Sequence, residues 1–247
     1  QTLTGVSSDG SSLNTAFGES IAMSKDGTTL IIGSPGVDDG STGQIDGGAV
    51  YYYKWNADES TNTYTLQQTI MSPETQNNMK FGTTLDINQA GNRVVIGAEK
   101  FATFREMKFD SGETTFDLQD TDVVDLNIGS GGAFTATMYN TKFVIDDLLV
   151  ADTVSENDDF GRGVCMIDNT VLVGAPKDDG NTSTDGSTKI VDDGTVTRYD
   201  LTTDGEYAWK NIVSETALID IDKLGQVFEF NNKSKLIRDH YDLYDPV

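Results

Sequence analysis

The sequence predicts an all-β protein made of repeated four-stranded antiparallel units. Three observations carry that prediction. Phe17-Gly18-Glu19-Ser20-Ile21-Ala22-Met23-Ser24 leads to Leu30-Ile31-Ile32-Gly33-Ser34-Pro35, and two later segments repeat the phrase. These are Phe81-Gly82 to Asn88 with Val94-Val95-Ile96-Gly97-Ala98, and Phe160-Gly161 to Ile167 with Val171-Leu172-Val173-Gly174-Ala175-Pro176. Self-similarity at long period marks a repeat architecture. Hydrophobic residues make up 36% of the chain, and 25 glycines punctuate it, so short strands between polar loops fit better than long amphipathic helices.

In the first unit, residues 20–24 alternate small or polar with apolar side chains, and Asp26-Gly27 supplies a tight return. Thr28 to Gly33 has a continuous apolar centre, the pattern of a strand buried on both faces. A polar loop from Val37 to Gly47 follows, then a third strand from Gly48 to Trp55 and a fourth from Tyr64 to Ile70. In the third strand Tyr51, Tyr53 and Trp55 share one face and Tyr52 takes the other. Core packing explains these aromatics first; a ligand platform is the competing explanation.

The second unit places its third strand at 132–137 and its fourth at 143–149. Between them and the second strand lies extra length, 101–131, in which 104–109 and 114–118 are expected to form an added hairpin around Asp110-Ser111-Gly112. The third unit has strands at 194–199 and 207–213. Residues 1–16 are expected to be the closing strand of a partial unit, because Gln1 to Ser7 precedes Phe17 as Gln67 to Ser72 precedes Phe81. At the other end, 217–247 is expected to be a partial unit or hairpin, with Gly225 to Phe230 resembling Gly48 to Tyr53. The divisions are thus 1–16, 17–80, 81–159, 160–216 and 217–247. Four antiparallel strands per repeat match a propeller blade, but three blades do not readily close a ring. The opening Gln1 and the incomplete ends suggest a processed product or a segment of a longer chain.

Phe17-Gly18, Phe81-Gly82 and Phe160-Gly161, each followed by Gly-Ser-Pro, Gly-Ala or Gly-Ala-Pro at Phe-to-Gly separations of 16, 16 and 14 residues, resemble the FG-GAP repeat. That repeat builds the propeller of integrin α subunits and occurs in bacterial, algal and viral surface proteins. The resemblance covers about residues 17–215 and implies an adhesion or partner-binding role. Only the third copy has an intact Gly-Ala-Pro, and Glu99 replaces the proline of the second. Physically, Phe fills the gap between blades, Gly allows close backbone approach, and proline ends the ladder. The resemblance also brings a calcium loop of D-x-D-x-D-G type. Ser24-Lys25-Asp26-Gly27, residues 88–92 and residues 167–169 lack the oxygen count calcium needs.

A different acidic cluster recurs after the motif. Asp38, Asp39 and Asp46 follow the first copy, and Asp178, Asp179, Asn181 and Asp185 follow the third. Carboxylates in Gly-rich loops with backbone carbonyls are candidate calcium ligands; a solvated acidic loop is the plainer explanation.

The net charge of −23, from 17 basic and 40 acidic residues, argues against nucleic acid as a partner and against anionic membranes. No apolar run is long enough for a membrane span. Cys165 is the single cysteine, so no internal disulfide exists, and its apolar strand predicts a buried, inert thiol. His240, the single histidine, has no partner motif for zinc. No Gly-x-Ser-x-Gly elbow or P-loop is present. The pairs Asp146-Asp147 and Asp158-Asp159 do not by sequence alone define a glycosidase, and Asp158-Asp159 reads as a turn between blades. The expectation is a non-catalytic structural and adhesion module, extracellular or on a cell or virion surface, with a protein or glycan ligand or neighbouring subunits as partners. A carboxylate-based glycan hydrolase and a purely architectural assembly unit are the alternatives. The candidate contact regions are 37–47, 101–131 and 177–193.

Overall fold

The computed structural model describes residues 1–5, 15–38, 45–57, 62–73, 76–104, 126–127, 129–151, 156–178, 194–201 and 207–211. Every regular element among them is a β-strand. The first sheet contains β1 (Ile21–Met23), β2 (Thr29–Ser34), β3 (Ala49–Asn56) and β4 (Thr63–Met71) in sequence order. The second contains β5 (Thr84–Ile87), β6 (Arg93–Ala98), β9 (Gly132–Tyr139) and β10 (Lys142–Leu149). The third contains β11 (Gly163–Ile167), β12 (Thr170–Ala175), β13 (Thr195–Leu201) and β14 (Tyr207–Asn211). All neighbours pair antiparallel, as expected for successive blades.

The inserted length in the second unit forms a small separate ladder, β7 (Thr103–Phe104) with β8 (Leu126–Asn127). Phe104 is registered with Leu126 rather than with the 114–118 segment. The rest of the expected hairpin lies outside the described residues, as does 217–247.

The first hairpins of the first and second units are held by side chains of their own turns. Asp26 accepts from the Ser24 hydroxyl at 2.7 Å and the Thr28 amide at 3.0 Å. In the second unit the Asn88 carbonyl oxygen accepts from the amides of Asn92 at 3.0 Å and Arg93 at 3.1 Å. Asx turns of this kind return the chain without a large loop.

The apolar faces meet between sheets. Ile31, Val50 and Tyr52 of the first sheet share a buried cluster with Phe81, Val94, Ile96 and Phe134 of the second. Val95 and Ala133, on the opposite face of that second sheet, join Phe160, Val171, Val173 and Tyr199 of the third. The run Leu30-Ile31-Ile32 is buried on both sides, because β2 packs one face forward and one face back. The backward face of the first sheet carries Leu30, Ile32, Tyr51 and Tyr53, packed beneath Leu3 and Phe17.

Residues 1–5 form no strand, yet Gln1 acts as a strand would. Its amide side chain donates to the Tyr64 carbonyl at 2.9 Å and accepts from the Tyr64 amide at 2.8 Å. Gln68 of β4 clamps Phe143 of the next sheet in the same way, at 2.8 Å on each side. Tyr64 and Phe143 occupy matching places, opposite Trp55 and Met138. Gln1 therefore does for the first sheet what the outer strand of a preceding blade would do.

Candidate functional site

The phrase that dominates the sequence is the joint between sheets. Phe81 and Phe160 are wholly buried, and each forms a parallel bridge to a glycine of the preceding sheet, Gly48 and Gly131 respectively. The amides of Gly82 and Gly161 turn back to donate to the carbonyls of Gly97 at 2.9 Å and Gly174 at 3.0 Å. Both glycines sit at φ near +89°, a conformation that favours glycine. The preceding sheet closes against them tightly: a Cβ on Gly33 would lie 2.1 Å from the Gly82 carbonyl oxygen. A Cβ on Gly97 would lie 2.1 Å from that of Gly161. Ser20 and Thr84 complete each joint, their hydroxyls donating to those same two carbonyls at 2.7 Å.

The residue before each Phe adopts a left-handed backbone, with φ of 51° at Ala16, 61° at Lys80 and 55° at Asp159. At two joints this residue carries a charge. Lys80 reaches Asp46 of the preceding loop at 2.6 Å. Asp159, fully buried, receives Lys100 and, at 2.8 Å, Lys177, with Arg162 at 3.5 Å. Burial pushes the Asp159 carboxyl upward, but hydrogen bonds and charge from the two lysines outweigh it and hold the group below its ordinary range. It is an ionised structural anchor, with no proton to give at neutral pH.

The connections from second to third strands emerge side by side at this edge. The Asn78 amide donates to Ile45 O at 2.8 Å, the Lys100 amide to Met79 O at 3.3 Å, and the Lys177 amide to Asp158 O at 3.3 Å. The described ends of the three loops thus lie along one rim, each tied to the segment that enters a blade.

Three of the predicted metal-ligand residues, Asp38, Asp46 and Asp178, fall on this rim and are engaged within the protein. Asp38 accepts from the Asp46 amide at 2.9 Å, while Asp46 holds Lys80. Asp178 is buried and accepts from the Thr195 hydroxyl at 2.6 Å. Asp39, Asp179, Asn181 and Asp185 lie outside the described residues, as does His240. Among the described residues no cluster of three or more His, Cys, Asp or Glu side chains is arranged to hold a metal. Asp146 is likewise committed, accepting from the hydroxyls of Thr135 at 2.6 Å and Thr137.

Tyr51, Tyr52 and Tyr53 are all buried, so they are core rather than a ligand platform, and burial raises each phenol above its ordinary pKa. Tyr51 meets Phe17 edge-on at 5.3 Å and Tyr52 meets Phe143 at 5.0 Å. Cys165 departs from expectation: it is exposed. Met166, its neighbour on β11, faces the second sheet and is buried, which turns Cys165 to the other side. Desolvation and the nearby Asp86 carboxylate hold its thiol above the ordinary value, which disfavours the reactive thiolate.

The sequence pointed to the Phe-Gly joint but not to the Lys100–Asp159–Lys177 cluster. Its signal is positional: a charge directly before Phe, and a lysine two residues after the Gly-Ala pair.

Among the described residues no helix is long and apolar enough to cross a membrane. No curated protein matches the chain. Residues 147–189 match the family model of the FG-GAP repeat. That match starts within β10 and runs past β12, so it spans a joint between sheets, with Phe160 inside it. Residues 147–189 thus carry an FG-GAP repeat, and the four-stranded antiparallel sheets are of the β-propeller blade type.

Proposed function

We propose that the chain is a non-catalytic, propeller-type binding module of an extracellular, cell-surface or virion-surface protein, whose ligand is a protein or a glycan. The carrying observation is the asymmetry between the two ends of the sheets. One end gathers the described ends of the three long connections on a rim braced by partly buried ion pairs; the other has tight returns such as Asp26-Gly27 and Tyr139 to Lys142. Variable loops on a rigid scaffold are where recognition resides. The acidic balance, −23 overall, favours a partner with a basic face and association that weakens with salt.

The test pairs the native chain with a variant in which residues 105–125 are replaced by a short Gly-Asn turn. Both are applied to an immobilised glycan array and a panel of purified surface proteins. Binding by the native chain that the variant loses, with its melting temperature kept, supports the reading. Equal binding by both refutes the assignment to this loop. Release of reducing sugar from any arrayed glycan would favour the hydrolase alternative instead.

A further inference from the structure

We propose that Leu224-Gly225 of this same chain docks into the open joint of the third sheet, as a fourth copy of the Phe-Gly phrase. The socket is built there and empty among the described residues. Gly194 has φ +72°, and its amide donates to Asp178 O at 3.1 Å, as Gly48 donates to Val37 and Gly131 to Phe101. Gly174 stands opposite Val196 as Gly33 stands opposite Val50 and Gly97 opposite Ala133. Yet a Cβ on Gly174 meets nothing nearer than 3.7 Å, where Gly33 and Gly97 are each blocked at 2.1 Å by the next phrase.

The exposed side chains tell the same story. Val50 and Ala133 are 0% exposed, and their counterpart Val196 is 46% exposed. Ser24 and Asn88 are 3% and 6% exposed, and their counterpart Ile167 is 61% exposed. An open groove runs past Gly163, Gly174, Gly194 and Val196, where the other two sheets hold Phe-Gly.

The occupant is identified by spacing. Phe81 follows Phe17 by 64 residues, and Leu224 follows Phe160 by 64. Lys223 precedes Leu224 as Lys80 precedes Phe81. Phe228 and Phe230 then stand where Leu85 and Ile87, and Val164 and Met166, face the preceding sheet, and Leu236-Ile237 stand near the places of Val94-Val95. From the end of β14 at Asn211, 13 residues lead to Leu224, against 10 from Met71 to Phe81 and 11 from Leu149 to Phe160. In this alignment Gly225 to Phe230 begins a blade, rather than forming a third strand as its likeness to Gly48 to Tyr53 suggests. The joint is the weakest of the three. Leucine fills less space than phenylalanine, and Gly163 stands where Ser20 and Thr84 supply a hydroxyl.

The test uses the full chain with Cys165→Ser and Val196→Cys, so that maleimide reads the socket alone. In this background Leu224→Asp and, separately, Gly174→Ala are expected to speed labelling about tenfold or more, by shifting the segment to its open state. The alanine is harmless to an empty socket and collides only with a docked carbonyl, so it serves where Leu224→Asp disturbs solubility. Gly163→Ser is expected to slow labelling. Equal rates in all variants overturn the proposal. Protection that appears only at concentrations where the mass doubles also overturns it, because a second copy then fills the socket.

Discussion

At the scale of single residues, the joints combine fit with charge. Phe160→Ala removes a fully buried ring between two sheets and is expected to cost about 3–5 kcal/mol by chemical denaturation. Asp159→Asn leaves Lys100 and Lys177 facing one another without their counter-charge. The cost should fall below the ~3–5 kcal/mol of a fully buried pair, because both lysine heads reach solvent. The pH dependence has a definite sign. The Asp159 carboxyl is held below its ordinary pKa, so its contribution is complete above the unfolded-state value and is lost as pH falls through the depressed native one. Acid titration of unfolding should show this loss in the native chain and its absence in Asp159→Asn.

At the scale of elements, the sheets are held together by side chains that imitate backbone. Gln68 makes two hydrogen bonds to one residue of the neighbouring sheet. Gln68→Ala should lower stability by about 1–2 kcal/mol, measured by urea unfolding. Asp178 gives a loop-level counterpart. Asp178→Ala should cost about 1–3 kcal/mol through loss of the Thr195 bond, to the same extent with and without millimolar calcium. An upward melting shift of the native chain in calcium would instead assign a cation to that loop.

Strand order and the facing of alternate residues were legible because they follow from period and turn chemistry. Leu30-Ile31-Ile32 declared a doubly buried strand, and Tyr52 faces away from Tyr51 and Tyr53 as alternation requires. Whether a face has a neighbour is not a local property. Hence Cys165, in an apolar strand, is exposed while its counterpart Ala22 is buried. The register of Phe104 with Leu126 was equally hidden, since it pairs residues 22 apart in the chain with the Asp-Ser-Gly signal between them. The Asp159 cluster escaped because Lys100 is distant in sequence and becomes adjacent only when two sheets meet.

At the scale of the whole molecule, the three sheets form a directional series. The first and second sheets each present a socket made of glycines to the sheet that follows, and the second and third each present a Phe-Gly phrase to the sheet before. Repeat arrays of this kind draw stability from nearest-neighbour interfaces and need their ends covered. Gln1 bonds Tyr64 and Leu3 packs on the backward face of the first sheet. The rim loops are then free to vary without disturbing the joints, which separates the binding proposed for them from the stability of the scaffold.

The repeated Phe-Gly phrase joins one sheet to the next. The urea unfolding midpoint of Gly97→Ala tests this most directly. The added methyl would sit 2.1 Å from the Gly161 carbonyl oxygen, so the account predicts a large drop in midpoint, worth about 3 kcal/mol or more. A midpoint equal to that of the native chain would contradict it.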